Sequence, residues 1–370
     1  MKVVYCIRPE YWNGGDGVQA LKTKEYIEQL YPHVSIDIVT SPKELTESYD
    51  IAHIFNYATT DLTNAFFKKA KELKLKIVSS PIYWDYKYSI NPFPLLLYFN
   101  KEFIDEDYVN RNLWFNKLLS LIPLKKFRLS YNNISPLFSK KVSFFINNSE
   151  LILPNSIEEG RLCCQFGKVN ESIDKIRVIY NGVDISGVSI LEEKEFFSKY
   201  NIPHDYILQV GRVEYLKNQL NLISALMDYP QIPIVILGSD QTDPKYVRKV
   251  RSLAEKRGNV YFLSSVPHKD VYSFYHYAKT HVLLSLRESP GLVNLEALSQ
   301  GCPIVISDKR FLPVDTYFSE NYESVNPFDK YEITQAVLKS YSKSRIKVDL
   351  SRFSWDKIAK ATYNAYNEII

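Results

Sequence analysis

Short apolar runs alternate with amphipathic stretches along most of the chain. Val3 to Ile7, Ser35 to Val39, Ile51 to Phe55 and Lys76 to Ser79 read as strands, with helices over Val18 to Leu30 and Ala65 to Leu73 between them. Leu151 to Pro154 and Ile176 to Tyr180 read as the last strands of the first half. A second alternation begins at Tyr206 to Val210, a strand followed by a helix over Lys217 to Met227. It continues with strands at Ile234 to Leu237 and Val260 to Leu263, helices at Pro244 to Lys256 and Asp270 to Tyr277, and a closing helix from Trp355 to Ile370. Short strands separated by amphipathic helices predict parallel α/β sheets with helices on both faces.

The most informative stretch is Thr280 to Ser307. The apolar run His281 to Leu286 ends at Arg287-Glu288, and Ser289-Pro290-Gly291 breaks the strand. Leu292, Leu295 and Leu298 recur at helical spacing, and Pro303 to Ser307 reads as a buried strand. Two carboxylates stand eight positions apart, Glu288 in the loop and Glu296 in the helix. Glu296 borders the apolar face, where an acid is costly unless something pairs with it. A loop leaving a strand for a helix N-terminus is where an α/β sheet forms its ligand crevice.

Two more strand-to-helix loops carry candidate chemistry. Gly211-Arg212 follows a strand and Lys217 opens the next helix in this reading. A lysine in a first helical turn opposes the helix dipole unless an anion joins it, so Arg212 and Lys217 suit a diphosphate or are simply surface cations. Gly14-Gly15-Asp16-Gly17 follows the first strand and lacks the G-x-G-x-x-G spacing of dinucleotide binders, which leaves a ligand-facing loop or an ordinary turn. A carboxylate such as Glu296 can accept from both hydroxyls of a ribose, and Glu288 from a hexose hydroxyl. The six histidines lack metal-ligand spacing, and no nucleophile triad is visible.

Pro81 to Ser149 breaks the alternation. From Tyr108 to Ser149 there are seven basic residues and no acidic one, interleaved with Trp114, Phe115, Phe127 and several leucines. The stretch reads as a helical cover with a solvated basic rim, or as a surface that meets anionic lipid or a lipid-linked acceptor.

Composition narrows the picture. At 370 residues two domains are favoured, and 45% hydrophobic against 24% charged residues easily builds two cores. A net charge of +4 makes no case for nucleic-acid binding. Cys6, Cys163, Cys164 and Cys302 are too few and too scattered for a disulfide framework and read as reduced. The N-terminal apolar run is too short for a signal peptide, and no run approaches the ~20 residues that cross a bilayer.

Taken together, the motifs resemble the retaining nucleotide-sugar glycosyltransferases of the GT-B fold, group 1 or family 4. Glu288 to Glu296 with the following Gly301-Cys-Pro303-Ile-Val resembles that family's two-glutamate motif and its G-x-P-V. Val210-Gly211-Arg212 with Lys217, Asn181-Gly182-Val183-Asp184, Phe353-Ser-Trp355 and Gly14-Gly15 are similar to four further family segments, in order. The resemblance implies an α/β GT-B fold of two facing Rossmann-like domains with the active site in the cleft between them. An acceptor-side domain over 1–186 would carry the closing helix 355–370, and 187–354 would form the donor domain. The reaction implied is transfer of a hexose from a UDP- or GDP-sugar to a glycan or lipid-linked acceptor, with retention. No cofactor or metal is implied. The setting is cytosolic, or peripheral on the inner membrane face through 108–149. The alternatives are a GT-B nucleotide-sugar epimerase and a non-catalytic glycan- or nucleotide-binding protein.

By the same resemblance, Arg212 and Lys217 would carry the diphosphate, Glu296 the ribose and Glu288 the sugar. Gly14 and Gly15 would face the donor, the amides of Gly291 and Leu292 the sugar or phosphate, and the loop at Ser265 and Val266 the base. Pro290 stands where many members have phenylalanine, which removes one N–H from the sugar-facing loop. Ser79 to Asp85 holds no counterpart of the histidine that many members place near the reacting sugar. Asp85 in that stretch is an acceptor-side base or an end cap, with the cap favoured.

Overall fold

The computed structural model describes residues 1–11, 14–89, 101–119, 136–170, 173–185 and 187–370. The chain forms two compact units, one of Met1–Asp85, Asn132–Val183 and Ser351–Ile370, the other of Tyr86–Tyr131 and Asp184–Leu350. In chain order the strands are β1 (Lys2–Cys6), β2 (Ser35–Val39), β3 (Ile51–Phe55), β4 (Lys76–Ser80), β5 (Leu151–Ile152), β6 (Ile207–Val210), β7 (Ile234–Leu237), β8 (Val260–Leu263), β9 (Thr280–Leu283), β10 (Ile304–Ser307) and β11 (Tyr322–Val325). The helices are α1 (Gly15–Leu30), α2 (Thr60–Glu72), α3 (Glu106–Leu119), α4 (Pro136–Asn147), α5 (Ile157–Gly167), α6 (Glu193–Tyr200) and α7 (Gln219–Ala225). They continue with α8 (Pro244–Arg257), α9 (His268–Tyr277), α10 (Leu292–Ser299), α11 (Val314–Tyr317), α12 (Lys330–Tyr341) and α13 (Trp355–Asn367).

The first unit is built on a parallel sheet in the order β2-β1-β3-β4-β5. Every residue of β3 is buried, as expected of a central strand covered on both faces. That includes His53, whose burial lowers its pKa to about 3 and keeps it neutral. Tyr366 donates to the Tyr5 hydroxyl at 3.1 Å, so His53 Nδ1 is the donor to Tyr366 at 2.7 Å and its Nε2 accepts from Ser80 at 2.8 Å. This relay fastens α13 to β1, β3 and β4. Tyr363 stacks on Tyr31, the C-cap of α1, at 3.7 Å between centroids. Gly182 lies against the Trp355 ring so closely that a Cβ there would stand 2.3 Å from it, and Gln19 pairs with the Gly182 backbone through two 2.8 Å hydrogen bonds. The N-G-V-D and F-S-W segments therefore meet in space.

The second unit has a six-stranded parallel sheet in the order β11-β10-β9-β6-β7-β8. The segment entering α3 packs in this unit. Asn221 brackets the Ile104 backbone with two 2.8 Å hydrogen bonds, and Tyr88 rests against Phe311 and Phe328.

Three expectations change. The stretch Ile176 to Tyr180 is not a strand: it makes a single bridge to Ile152, because β5 ends at once and Pro154 has no N–H to extend a ladder. Lys217 does not open a helix. It closes a 3₁₀ turn over Tyr215–Lys217, Asn218 then takes a left-handed conformation, and α7 begins only at Gln219. β11 and α12 are additional elements between 308 and 354. Of the basic stretch, Lys125, Lys126 and Arg128 lie outside the described residues. Among the described residues no helix is long and apolar enough to cross a membrane.

Candidate functional site

An open parallel sheet binds ligands at the carboxyl ends of its strands, where the strand order reverses. In the second unit that point lies between β6 and β9. The loop after β6 holds Arg212 and Lys217, and the loop after β9 holds Glu288 and leads through Gly291 into α10.

Three buried amide side chains shape the loop after β6. Gln209 donates to the Lys217 carbonyl at 2.7 Å, Gln219 to the Arg212 carbonyl at 2.9 Å and Asn218 to the Pro327 carbonyl at 3.2 Å. The two loops are joined directly, Leu286 N–H donating to the Leu216 carbonyl at 2.9 Å. Glu288 N–H donates to Phe311 at 2.8 Å, tying in the loop after β10. The backbone of this crevice is thus pinned by hydrogen bonds whose donors and acceptors are largely withdrawn from water.

Within this frame Lys217 and Glu288 form an ion pair, and the same carboxylate oxygen accepts from Ser285 at 2.8 Å. Both side chains are largely shielded, at 20% and 12% exposure, so neither charge is fully solvated when the other leaves. Arg212 is more open at 54%, with one guanidinium nitrogen on Glu214 at 3.1 Å.

Gly291 caps α10 with φ +87°, a conformation that side-chain-bearing residues rarely adopt. Leu292 is the first residue of the helix. Asn294, fully buried, stands beside Gly291 and next to the His281 imidazole, without meeting it at hydrogen-bonding geometry. Glu296, one turn beyond Leu292, is half-buried and accepts from the Tyr275 hydroxyl at 2.9 Å. Burial raises the Glu296 pKa, and the Tyr275 hydrogen bond works against that rise. Ser265 and Val266 lie after β8, the edge strand, with β7 between β8 and β6.

The first unit has its own reversal point, between β1 and β3. The loop after β1 is built on a two-pronged ion pair: Arg8 Nε and Nη2 each donate to Asp16 at 2.9 Å. Gly14 is the N-cap of α1 and Gly15 its first residue. Asp85 stands half-buried in the connection that follows β4. Among the described residues no group of three or more His, Cys, Asp or Glu is placed to hold a metal ion.

Sequence reading brings forward Lys217 and Glu288 but misses what supports them. Gln209, a polar residue inside the strand run Tyr-Ile-Leu-Gln-Val, is the one supporting residue with a local signal. Tyr275, 21 positions from Glu296, and Arg8 carry none.

Residues 192–340 match the family described as Glycosyl transferases group 1. Over 217 residues the chain is 31% identical to an uncharacterized glycosyltransferase of Methanocaldococcus jannaschii, covering 53% of this chain and 55% of that protein. It is 27% identical over 174 residues to the O-antigen chain mannosyltransferase B of Escherichia coli, covering 44% and 45%. The chain therefore spans about half the length of the curated relatives it matches. Its fold resembles that of an Anabaena protein solved in complex with UDP and glucose, with a TM-score of 0.63, 14% identity and coverage of 99% of this chain and 95% of that one. The architecture of two parallel-sheet α/β domains is that of the GT-B glycosyltransferases.

Proposed function

We propose that this protein transfers a hexose from a nucleoside-diphosphate sugar to a hydroxyl of a glycan or lipid-linked acceptor, with retention at the anomeric carbon. The observation that carries the reading is the pairing of Lys217 with Glu288 across the β6/β9 reversal point, with Glu296 on the helix that follows. Crevice cations suit a diphosphate, and carboxylates suit the hydroxyls of a ribose and a hexose.

In this reading Lys217 and Arg212 bind the diphosphate and stabilise the charge that develops as it departs. Glu296 accepts from the ribose and Glu288 from the sugar. Asn294 and the backbone at Gly291 and Leu292 line the sugar end. The acceptor oxygen attacks the anomeric carbon on the face from which the diphosphate leaves. The bond between that carbon and the phosphate oxygen breaks, and the acceptor proton passes to the departing phosphate. The carboxyl edge of the first sheet, with the Pro81–Asp85 loop, takes the acceptor, and the loop at Gly14–Gly15 faces the donor. In the Pro81–Asp85 loop Asp85 is an end cap; as a base it would take the acceptor proton in place of the phosphate.

The test is incubation with a panel of UDP- and GDP-hexoses and octyl glycosides, with products identified by NMR. A new glycosidic bond of the donor's own anomeric configuration supports the reading. Conversion of the sugar nucleotide into an isomeric sugar nucleotide without acceptor would make the protein an epimerase, and binding without turnover a non-catalytic binder.

A further inference from the structure

Glu159 is fully buried in the first turn of α5, and its carboxylate reaches out of that helix. Oε1 accepts from the Tyr83 N–H and Oε2 from the Asn155 N–H, each at 2.5 Å. Ser156 caps the helix by accepting from the Glu159 N–H at 3.0 Å, and the Glu159 carboxylate does not return to the Ser156 N–H as it would in a capping box. Instead one side chain joins two connections at the carboxyl edge of the first sheet. Asn155 lies just after β5, and Tyr83 lies in the loop after β4.

The loop it holds is not relaxed. Ile82 has φ +47°, a left-handed conformation that is a genuine outlier for a β-branched residue. Such conformations persist only where the surroundings over-determine them, and they concentrate at functional loops. The Tyr83 N–H bond is made at the next residue, and the Tyr83 ring is buried against Phe138 and Phe166. Two residues beyond Tyr83, the loop delivers Asp85.

The clamp is also electrostatically exposed. Among the described residues no ammonium or guanidinium pairs with Glu159. The titratable groups facing it are Tyr57, two residues beyond β3, and Cys163, on α5, and burial keeps both protonated. A buried carboxylate without a countercharge is costly, and two N–H bonds offset only part of that cost. Burial raises its pKa to about 7, with the N–H bonds from Tyr83 and Asn155 pulling the other way. Once protonated, one oxygen carries a hydrogen and becomes a poorer acceptor, so one of the two loops loses its hold.

We propose that Glu159 is a positioning residue whose ionised carboxylate holds the Pro81–Asp85 loop in its acceptor-binding form. This rests on the assignment of that loop to the acceptor side. Acceptor kcat/KM in the wild type rises as pH rises through about 7. Glu159→Gln presents an amide NH₂ to one of the two N–H groups, so it lowers acceptor kcat/KM about tenfold at high pH and abolishes that rise. Hydrolysis of the sugar nucleotide in the absence of acceptor, and stabilisation by nucleotide, stay unchanged.

The experiment measures transfer to the octyl glycoside and acceptor-free hydrolysis across this pH range, for wild type and Glu159→Gln. Amide exchange of the peptide containing Tyr83 is followed in parallel on the wild type. A flat wild-type acceptor profile, or a variant with unchanged acceptor kcat/KM and pH dependence, overturns the proposal. So does Tyr83 protection that, corrected for intrinsic exchange, is constant across this range. The exchange arm needs neither a folded variant nor turnover, and absence of all transfer would count against the transferase reading alone.

Discussion

Lys217 and Glu288, 71 positions apart, form an ion pair across the point where the second sheet reverses its strand order. Without substrate each neutralises the other, and the pair sits where a diphosphate and a sugar are proposed to bind. A diphosphate must therefore compete with Glu288 for the ammonium. Glu288→Gln releases that ammonium and should tighten binding of the free nucleoside diphosphate by about threefold while turnover falls, since the sugar hydroxyl exchanges a charged carboxylate for a neutral amide oxygen. Calorimetry with UDP and GDP beside steady-state rates checks both halves.

Removing either cation should strike turnover hardest. Groups that stabilise a leaving charge are commonly worth about 100- to 1,000-fold in kcat, so Arg212→Ala and Lys217→Ala should each lose about that much. Lys217→Ala also leaves Glu288 without its partner, and should destabilise the second unit where Arg212→Ala does not. Thermal unfolding of both variants separates the effects.

Tyr275 should tune the nucleotide site through pH. Burial raises the Glu296 pKa and the Tyr275 hydroxyl restrains it. The ionised carboxylate is the form that accepts from both ribose hydroxyls, so nucleotide affinity is present above the raised pKa and is lost as pH falls through it. Tyr275→Phe should move that loss to higher pH and weaken nucleotide binding about tenfold where the wild type is fully ionised. Affinity measured against pH for both proteins is the check, and an unmoved midpoint would count against the coupling.

The contact between Gly182 and Trp355 makes a prediction about stability rather than catalysis. A Cβ on residue 182 has no room beside the indole, so Gly182→Ala should cost about 1–3 kcal/mol in the first unit. Nucleotide affinity should be unaltered, because Arg212, Lys217 and Glu296 belong to the other unit. Urea unfolding with nucleotide titration tests the separation.

These cases also show how far residue patterns reach. β1 and β3 are legible because strands covered on both faces read as near-continuous apolar runs, and β2, at the sheet edge, because its apolar and polar positions alternate. The loop carrying Glu288 is legible because Gly291 follows a buried run and helical spacing begins at Leu292. β11, Tyr-Glu-Ser-Val, is half exposed and carries no such run. The turn before α7 was hidden because Leu216 and Leu220 keep helical spacing through it, while Asn218 takes a left-handed conformation that breaks the helix. Glu159 reads as an ordinary first-turn acid. Its partner amide is 76 positions away, and a backbone N–H has no signature in sequence.

The central claim is that the β6/β9 crevice holds a nucleoside-diphosphate sugar through Arg212 and Lys217. Titration of wild type and the Arg212→Ala/Lys217→Ala double variant with UDP- and GDP-hexoses, read by thermal unfolding, tests it most directly. A ligand at 100 times its Kd adds about 2.7 kcal/mol of stability. The expected result is that gain in the wild type from at least one of these donors and its loss in the double variant. No stabilisation of the wild type by any of them, or an equal gain in the double variant, would contradict it.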